Sequence, residues 1–228
     1  MEKIVIENLK VVYKNKSDYV TALDGFSAIL EPNSFNVVVG KSGCGKTTLL
    51  NAVAGVVDYE GKILFDDLDV YELSIQERNV SMVSQKYVLY PKMTVFDNIA
   101  YPLKVLKTPK NEIVDRVYDI SERLGIKHCL GRLPKQLSGG QQQKVALARA
   151  MIKRPQLYLF DEPLSNFDPP KRAETREFIK KWVKEKPATA IYVTHDLDEA
   201  AEMADNIIVI EDGKAKPFGR NAKRIEIQ

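Results

Sequence analysis

Gly40, Gly43 and Gly45 stand with Lys46 and Thr47 in the string GKSGCGKT, a spacing suited to cradling phosphates. It fits the pattern G-x-x-x-x-G-K-[ST], in which backbone amides surround a phosphate chain without steric bulk. Lys46 would supply positive charge near the β- and γ-phosphates, and the Thr47 hydroxyl could coordinate Mg²⁺. Further along, LSGGQ places Ser138, Gly139 and Gly140 just before a helical run, a second place where amides converge on an anion. Two different phosphate-binding surfaces in one chain suggest a nucleotide held between two half-sites.

Three more positions carry reactive groups. Asp161 closes the apolar run LYLF, where a carboxylate needs a cation or water. It serves either as a helix N-cap or as a partner of the water bound to Mg²⁺, and the glycine loop upstream favours the ion. Glu162, next in the chain, is either a surface acid or the group that polarises water attacking the γ-phosphate. His195 follows IYVT at a strand end, the edge of an open α/β sheet where functional groups collect. It is either a satisfied structural histidine or a γ-phosphate contact. Gln85, at the end of another short strand, could ligate Mg²⁺ while opening the segment that follows.

The elements that must position these groups follow from periodicity. Residues 3–13 and 20–30 alternate apolar and polar positions, as half-buried strands do. Asn36–Val39 is a buried strand ending at Gly40, followed by a helix over Thr47–Val57 whose positive dipole end faces the loop. Strands are expected at Gly61–Phe65 and Val80–Ser84. From Lys86 to about Leu137 the texture changes, with Pro91, Pro102 and Pro109 breaking up short segments and Asn111–Leu124 at helical spacing. Helices follow over Gly140–Lys153, Arg172–Glu185 and Leu197–Ala204, with strands at Gln156–Phe160 and Ala190–Val193. Ile207–Glu211 and Lys214–Pro217 form a hairpin around Asp212-Gly213. Strands alternating with helices imply a mostly parallel, twisted sheet covered on both faces.

Composition narrows the function classes. The 34 Lys+Arg and 31 Asp+Glu leave a net charge of only +3 without like-charge blocks, so no nucleic-acid stripe is expected. Cys44 and Cys129 lack metal-ligand spacing, consistent with a disulfide-free cytosolic protein. Cys44 needs only to be small, and no redox role is assigned to it. The start, MEKIVIENLK, lacks the apolar run of a signal peptide, and no run of about 18 apolar residues offers a membrane span. Work at a membrane would then go through a partner.

Together these residues resemble the ATP-binding cassette (ABC) ATPases over nearly the whole chain. GKSGCGKT matches the Walker A loop, LYLFDEP the Walker B strand, LSGGQ the signature, Gln85 the Q-loop glutamine and His195 the switch histidine. Ser165-Asn166-Phe167-Asp168 looks like the D-loop, where Leu is commoner than Phe167. Tyr13 sits where the family stacks an aromatic on adenine, and is otherwise a core aromatic.

The resemblance implies an α/β P-loop NTPase (RecA-like) core, an N-terminal antiparallel β subdomain and an inserted α-helical subdomain. One ABC domain would span 1–228, with core over 1–85 and about 141–228 and helical subdomain over about 86–140. It further implies ATP and Mg²⁺ bound by Gly40, Lys41, Ser42, Gly43, Cys44, Gly45, Lys46, Thr47 and Thr48 of one protomer. The other protomer would close over them with Ser138, Gly139, Gly140 and Gln141, and Asp168 of the D-loop would also bind the nucleotide. Glu162 would be general base, His195 and Lys46 would act beside it, and Thr47, Gln85 and Asp161 would hold the metal.

The stretch LYPKMTVFDNIAYPLK is most similar to that of bacterial sugar and solute importer ATPases. Its apolar cluster, Tyr90, Met93, Val95 and Phe96, is either the lobe's own core or a surface for transmembrane subunits. Expected partners are a second protomer, transmembrane permease subunits and, indirectly, a solute-binding protein, at the cytoplasmic face of the membrane. Multi-sugar importer ATPases usually continue into a β-rich regulatory domain, whereas this chain stops at Gln228. It belongs to a shorter branch, partners with a longer ATPase, or is truncated. A short exporter or lipoprotein-extraction ATPase is the alternative. Soluble repair or translation ATPases fit less well, because they insert long coiled coils or fuse two cassettes.

Overall fold

The computed structural model describes residues 3–15, 18–85, 87–165, 167–185 and 187–217. The chain divides into two compact units. The first comprises Met1–Val80, Gln156–Glu162 and Val183–Gln228, the second Ser81–Pro155 and Pro163–Trp182.

In the first unit, β1 (Ile4–Asn15), β2 (Asp18–Leu30), β4 (Glu60–Phe65) and β5 (Leu68–Asp69) form an antiparallel sheet in the order β2-β1-β4-β5. One face is apolar: Ile4, Ile6, Leu23, Phe26 and Ile63 are buried while alternate positions reach solvent. A second sheet carries β3 (Phe35–Val39), β7 (Leu157–Asp161), β8 (Thr189–Thr194), β9 (Asn206–Glu211) and β10 (Lys214–Pro217), in the order β10-β9-β3-β8-β7. β9, β3, β8 and β7 are parallel, and β10 is the antiparallel arm of the expected hairpin.

Every residue of β3, β7 and β8 is buried, as suits parallel strands covered on both faces. Asn36 is tolerated in β3 because its side chain exchanges two hydrogen bonds with the Glu31 backbone, each 3.0 Å. The register aligns the strand ends, with Val39 opposite Thr194 and Asp161 opposite Val193. Residues immediately after β3, β7 and β8 therefore emerge along one edge.

Two helices belong to this unit. α1 (Lys46–Ala54) stops three residues short of the expected Val57, because Gly55 turns left-handed (φ 77°) and its N–H closes on Ala52 O and Asn51 O. Arg78, almost fully buried, adds Nη1 contacts to Ala52 O and Val53 O at 2.9 and 3.1 Å. α6 (Leu197–Met203) is capped by Asp196, whose side chain accepts the N–H groups of Asp198 and Glu199.

The second unit follows the short β6 (Val80–Val83) and is largely helical. α2 (Val95–Val105) contains Pro102, so the expected break there is corrected. The proline removes the N–H that would reach Asn98 O. The helix continues because Ile99 and Leu103 on its buried face are fully covered. α3 (Lys110–Arg123) buries Ile113, Val117 and Ile120, as its spacing predicts. α4 (Gly139–Met151) and α5 (Pro169–Lys184, its last two residues in the first unit) complete the set. α5 begins three residues before the expected Arg172, since proline is well suited to a first helical turn. Trp182 ties α5 to its neighbours: Nε1 donates to Met151 O at 3.2 Å, and Arg123 and Arg154 lie against the ring at 5.3 and 4.6 Å. No helix of the described residues is long and apolar enough to cross a membrane.

Candidate functional site

The loop between β3 and α1 is built around a lysine. Lys46 is buried, and its Nζ donates to Gly40 O and Lys41 O, both at 2.8 Å. An ammonium has three donors, so this clamp shapes the loop, and the third faces only the weak acceptor Cys44 Sγ at 3.9 Å, which an anion would displace. Two glycines are required for space. A Cβ on Gly40 would lie 2.4 Å from Ile210 O, and one on Gly45 2.5 Å from Ala22 O. Gly43 is required for its backbone (φ 80°) and faces open space.

Gly45 is also the N-cap of α1 and provides no side-chain cap, so the orphan N–H groups of that turn remain for a ligand. Cys44 has its thiol pKa raised by burial, with nearby Lys46 opposing. Lys41 and Ser42 are exposed. Thr48 is buried, and Tyr13 Oη donates to its Oγ1 at 3.4 Å. With 38% of Tyr13 exposed, its ring is not a core aromatic.

Asp161, at the end of β7, is not a helix cap. Its Oδ1 accepts the Thr47 hydroxyl at 3.1 Å. Burial raises the pKa of this carboxyl most, and neighbouring Glu162 raises it further, while the Thr47 hydroxyl and Lys46 oppose them. A buried carboxylate beside a hydroxyl asks for a cation. Among the described residues no group of three or more His, Cys, Asp or Glu could hold a metal by itself. The Asp161 carboxylate and the Thr47 hydroxyl are hard oxygen donors of the kind that fits Mg²⁺.

Glu162 follows Asp161 in the left-handed region (φ 45°), unusual for a non-glycine residue, with its N–H bonded to Val193 O at 3.0 Å. This turn brings its carboxylate to His195, whose Nδ1 lies 3.1 Å from Glu162 Oε2. The loop after β3, Glu162 after β7 and His195 after β8 thus share one edge of one parallel sheet.

The remaining positions lie in the second unit. Gln85 is exposed just beyond β6. Ser138 caps α4 in a closed box, its Oγ accepting Gln141 N at 3.3 Å and Gln141 Oε1 accepting Ser138 N at 3.0 Å. Cβ atoms on Gly139 and Gly140 would meet nothing within 4 Å. Asp168 is exposed and paired with Lys171 at 3.0 Å, which lowers its pKa. Phe167 is buried, so the departure from Leu keeps an apolar anchor. Asn166 and the Lys86 boundary lie outside the described residues.

A phosphate loop opening a helix, set among parallel strands beside a carboxylate–histidine pair, defines a P-loop nucleotide-binding cassette. The family model for ABC transporter matches residues 23–165. The chain is 44% identical over 220 residues to the sn-glycerol-3-phosphate import ATP-binding protein UgpC of Psychromonas ingrahamii, covering 96% of this chain and 58% of that protein. It is 44% identical to the trehalose/maltose import ATP-binding protein MalK of Thermococcus litoralis, covering 88% of this chain and 56% of that one. It is 46% identical to the osmoprotective compounds uptake ATP-binding protein GgtA of Synechocystis, covering 89% and 56%. It spans less than two thirds of each.

Among solved structures, a dimeric post-hydrolysis state of the ATP-binding cassette MJ0796 bound to ADP and phosphate matches with TM-score 0.85. It is 28% identical, and the match covers 93% of this chain and 96% of that one. The chain belongs to the ABC transporter family.

Proposed function

We propose that the chain is the ATP-hydrolysing subunit of a bacterial solute importer, acting as a head-to-tail dimer at the cytoplasmic face of the membrane. The observation that carries hydrolysis is the Glu162–His195 pair, 3.1 Å apart on the edge that also bears the phosphate loop. In this reading α1 and Lys46 bind and orient the triphosphate, and Glu162 takes the proton of the attacking water as general base. His195, with Nδ1 beside Glu162, would present Nε2 to a γ-phosphate oxygen.

Mg²⁺, which neutralises charge on the phosphates, would be held by Thr47, by Asp161 through water and by Gln85. Tyr13 would stack on adenine. Ser138, Gly139, Gly140, Gln141 and Asp168 of a second protomer would complete each site. Two half-sites give ATP a higher affinity for the closed pair than for separate chains, the requirement for driving a conformational cycle.

Transport is supported by the named relatives, and the second unit carries a cavity of about 220 Å³. Tyr87, Tyr90, Tyr101, Pro102, Ala146 and Arg149 line it. Arg149 lies 5.0 Å over the Tyr90 ring, and its Nη2 donates to Val88 O at 2.7 Å. Tyr90 and Tyr101 are partly exposed, whereas Val95 is fully buried in the lobe. The apolar cluster thus divides into core and surface, and the surface part suits a cytoplasmic segment of a permease. The relatives are named for import or uptake of sn-glycerol-3-phosphate, trehalose/maltose or osmoprotective compounds, which supports a small polar solute; a solute-binding protein would deliver it.

The test of hydrolysis is Glu162→Gln. Nucleotide binding should survive, turnover should fall about a thousandfold, and ATP with Mg²⁺ should trap a dimer on size exclusion. Wild-type turnover in that variant would remove Glu162 as the base.

A further inference from the structure

Both candidate reacting side chains depend on the end of β8. Thr194 precedes His195, and Val193 O holds the left-handed Glu162 by its N–H at 3.0 Å. Against this strand end lies Glu199 of α6, only 5% exposed. Its two carboxylate oxygens are each taken by a β8 hydroxyl: Tyr192 Oη donates to Oε1 at 2.8 Å and Thr194 Oγ1 to Oε2 at 2.5 Å. Thr194 Oγ1 also accepts the Asp196 N–H at 3.1 Å. Asp196 Oδ1 in turn accepts the Glu199 N–H at 3.0 Å. Thr194, before His195, is thus fastened to the buried carboxylate, and Asp196, after it, is tied to Thr194 Oγ1 and to the Glu199 backbone.

Burial of a carboxylate is unfavourable unless its oxygens are bonded, and an apolar side chain would fill the same place without that penalty. What the acid adds is directional. Residues 192 and 194 point to the same face of the strand, and one carboxylate with two oxygens reads both.

We propose that Glu199 is a positioning residue for hydrolysis: through Tyr192 and Thr194 it fixes the end of β8 so that His195 meets Glu162. It touches no nucleotide and leaves the phosphate loop alone. The inference rests on the roles given above to Glu162 and His195.

The test measures kcat, KM and equilibrium ATP affinity for Glu199→Gln, alone and combined with His195→Ala, in single-turnover assays on the full chain. Glutamine keeps the shape, but its amide nitrogen must donate to one of the two hydroxyls, which reverses that bond. Glu199→Gln should lower kcat about tenfold with KM and affinity unchanged, since small misplacement of reacting groups acts on the chemical step. In the His195→Ala background it should have no further effect. A parallel pair covers poor folding of the glutamine variant: Thr194→Val should lower kcat, and Thr194→Ser, which retains the hydroxyl, should restore it.

Equal falls in both backgrounds, a change confined to KM, or wild-type kcat in Glu199→Gln and Thr194→Val would overturn the positioning role alone. A wild-type chain that does not hydrolyse ATP, or wild-type turnover in His195→Ala, would overturn the reading of the site and this inference with it.

Discussion

The chain starts two helices with glycine-rich turns, and the two are built in opposite ways. α1 opens on Gly45, left-handed and without a side-chain cap, while the Lys46 ammonium pins the loop to its own carbonyls. α4 opens on Ser138, whose capping box with Gln141 already satisfies part of the turn. The glycines differ in the same way. Gly40 and Gly45 are pressed against backbone oxygens, and Gly139 and Gly140 face open space. One start is a rigid receptor whose glycines the fold itself requires. The other is a self-satisfied turn whose glycines the fold does not need for space, and the proposed dimer would give them a partner's phosphates to meet.

The largest expected effect comes from adding one methyl to the rigid turn. Gly45→Ala places a Cβ 2.5 Å from Ala22 O in a residue at φ 104°. Neither backbone can give way cheaply, so we expect a loss of about 2–4 kcal/mol in unfolding free energy, read by urea denaturation. Nucleotide binding should fall with it. A Gly45→Ala protein as stable as wild type would break the comparison at its first term.

Adding the same methyl to the other turn should do the reverse. Gly140→Ala meets no neighbour and lies in a helix, where alanine is favoured over glycine by up to about 1 kcal/mol. Thermal stability should rise slightly and ATP affinity of the isolated chain should stay the same. Hydrolysis should fall because the added Cβ stands between the α4 amides and the incoming phosphates. Unchanged hydrolysis would show that this open face meets no ligand.

The two turns were not equally legible in the sequence. The phosphate loop was, because lysine, hydroxyl and glycines are local in the chain and their pattern admits few other uses. The strands β3, β7 and β8 were also legible from continuous apolar runs. α2 was missed as a helix because Pro102 argues against one, and only the burial of Ile99 and Leu103 overrides it. Arg78 and Glu199 were missed for a different reason. An arginine bonded to Ala52 O and Val53 O is a tertiary fact that one-dimensional spacing does not carry. Glu199 lies in the expected Leu197–Ala204 helix, where spacing alone does not set it apart from Asp198 or Glu202. The alternate hydroxyls of Tyr192 and Thr194 inside an apolar strand were the only signal that something polar must meet them.

The smallest effect separates capping from ligand chemistry at a single position. Ser138→Ala removes the oxygen that accepts Gln141 N and should lower stability by about 1 kcal/mol, a few degrees in melting temperature. Ser138→Asp supplies an equally good cap and should melt like wild type. Its effect on hydrolysis should nevertheless be the more severe of the two, since a fixed negative charge repels the phosphates that the turn is read to meet. If hydrolysis instead follows stability, with Asp active and Ala impaired, Ser138 serves α4 alone. The contrast between a receptor turn and a docking turn would then reduce to one between an open helix start and a capped one.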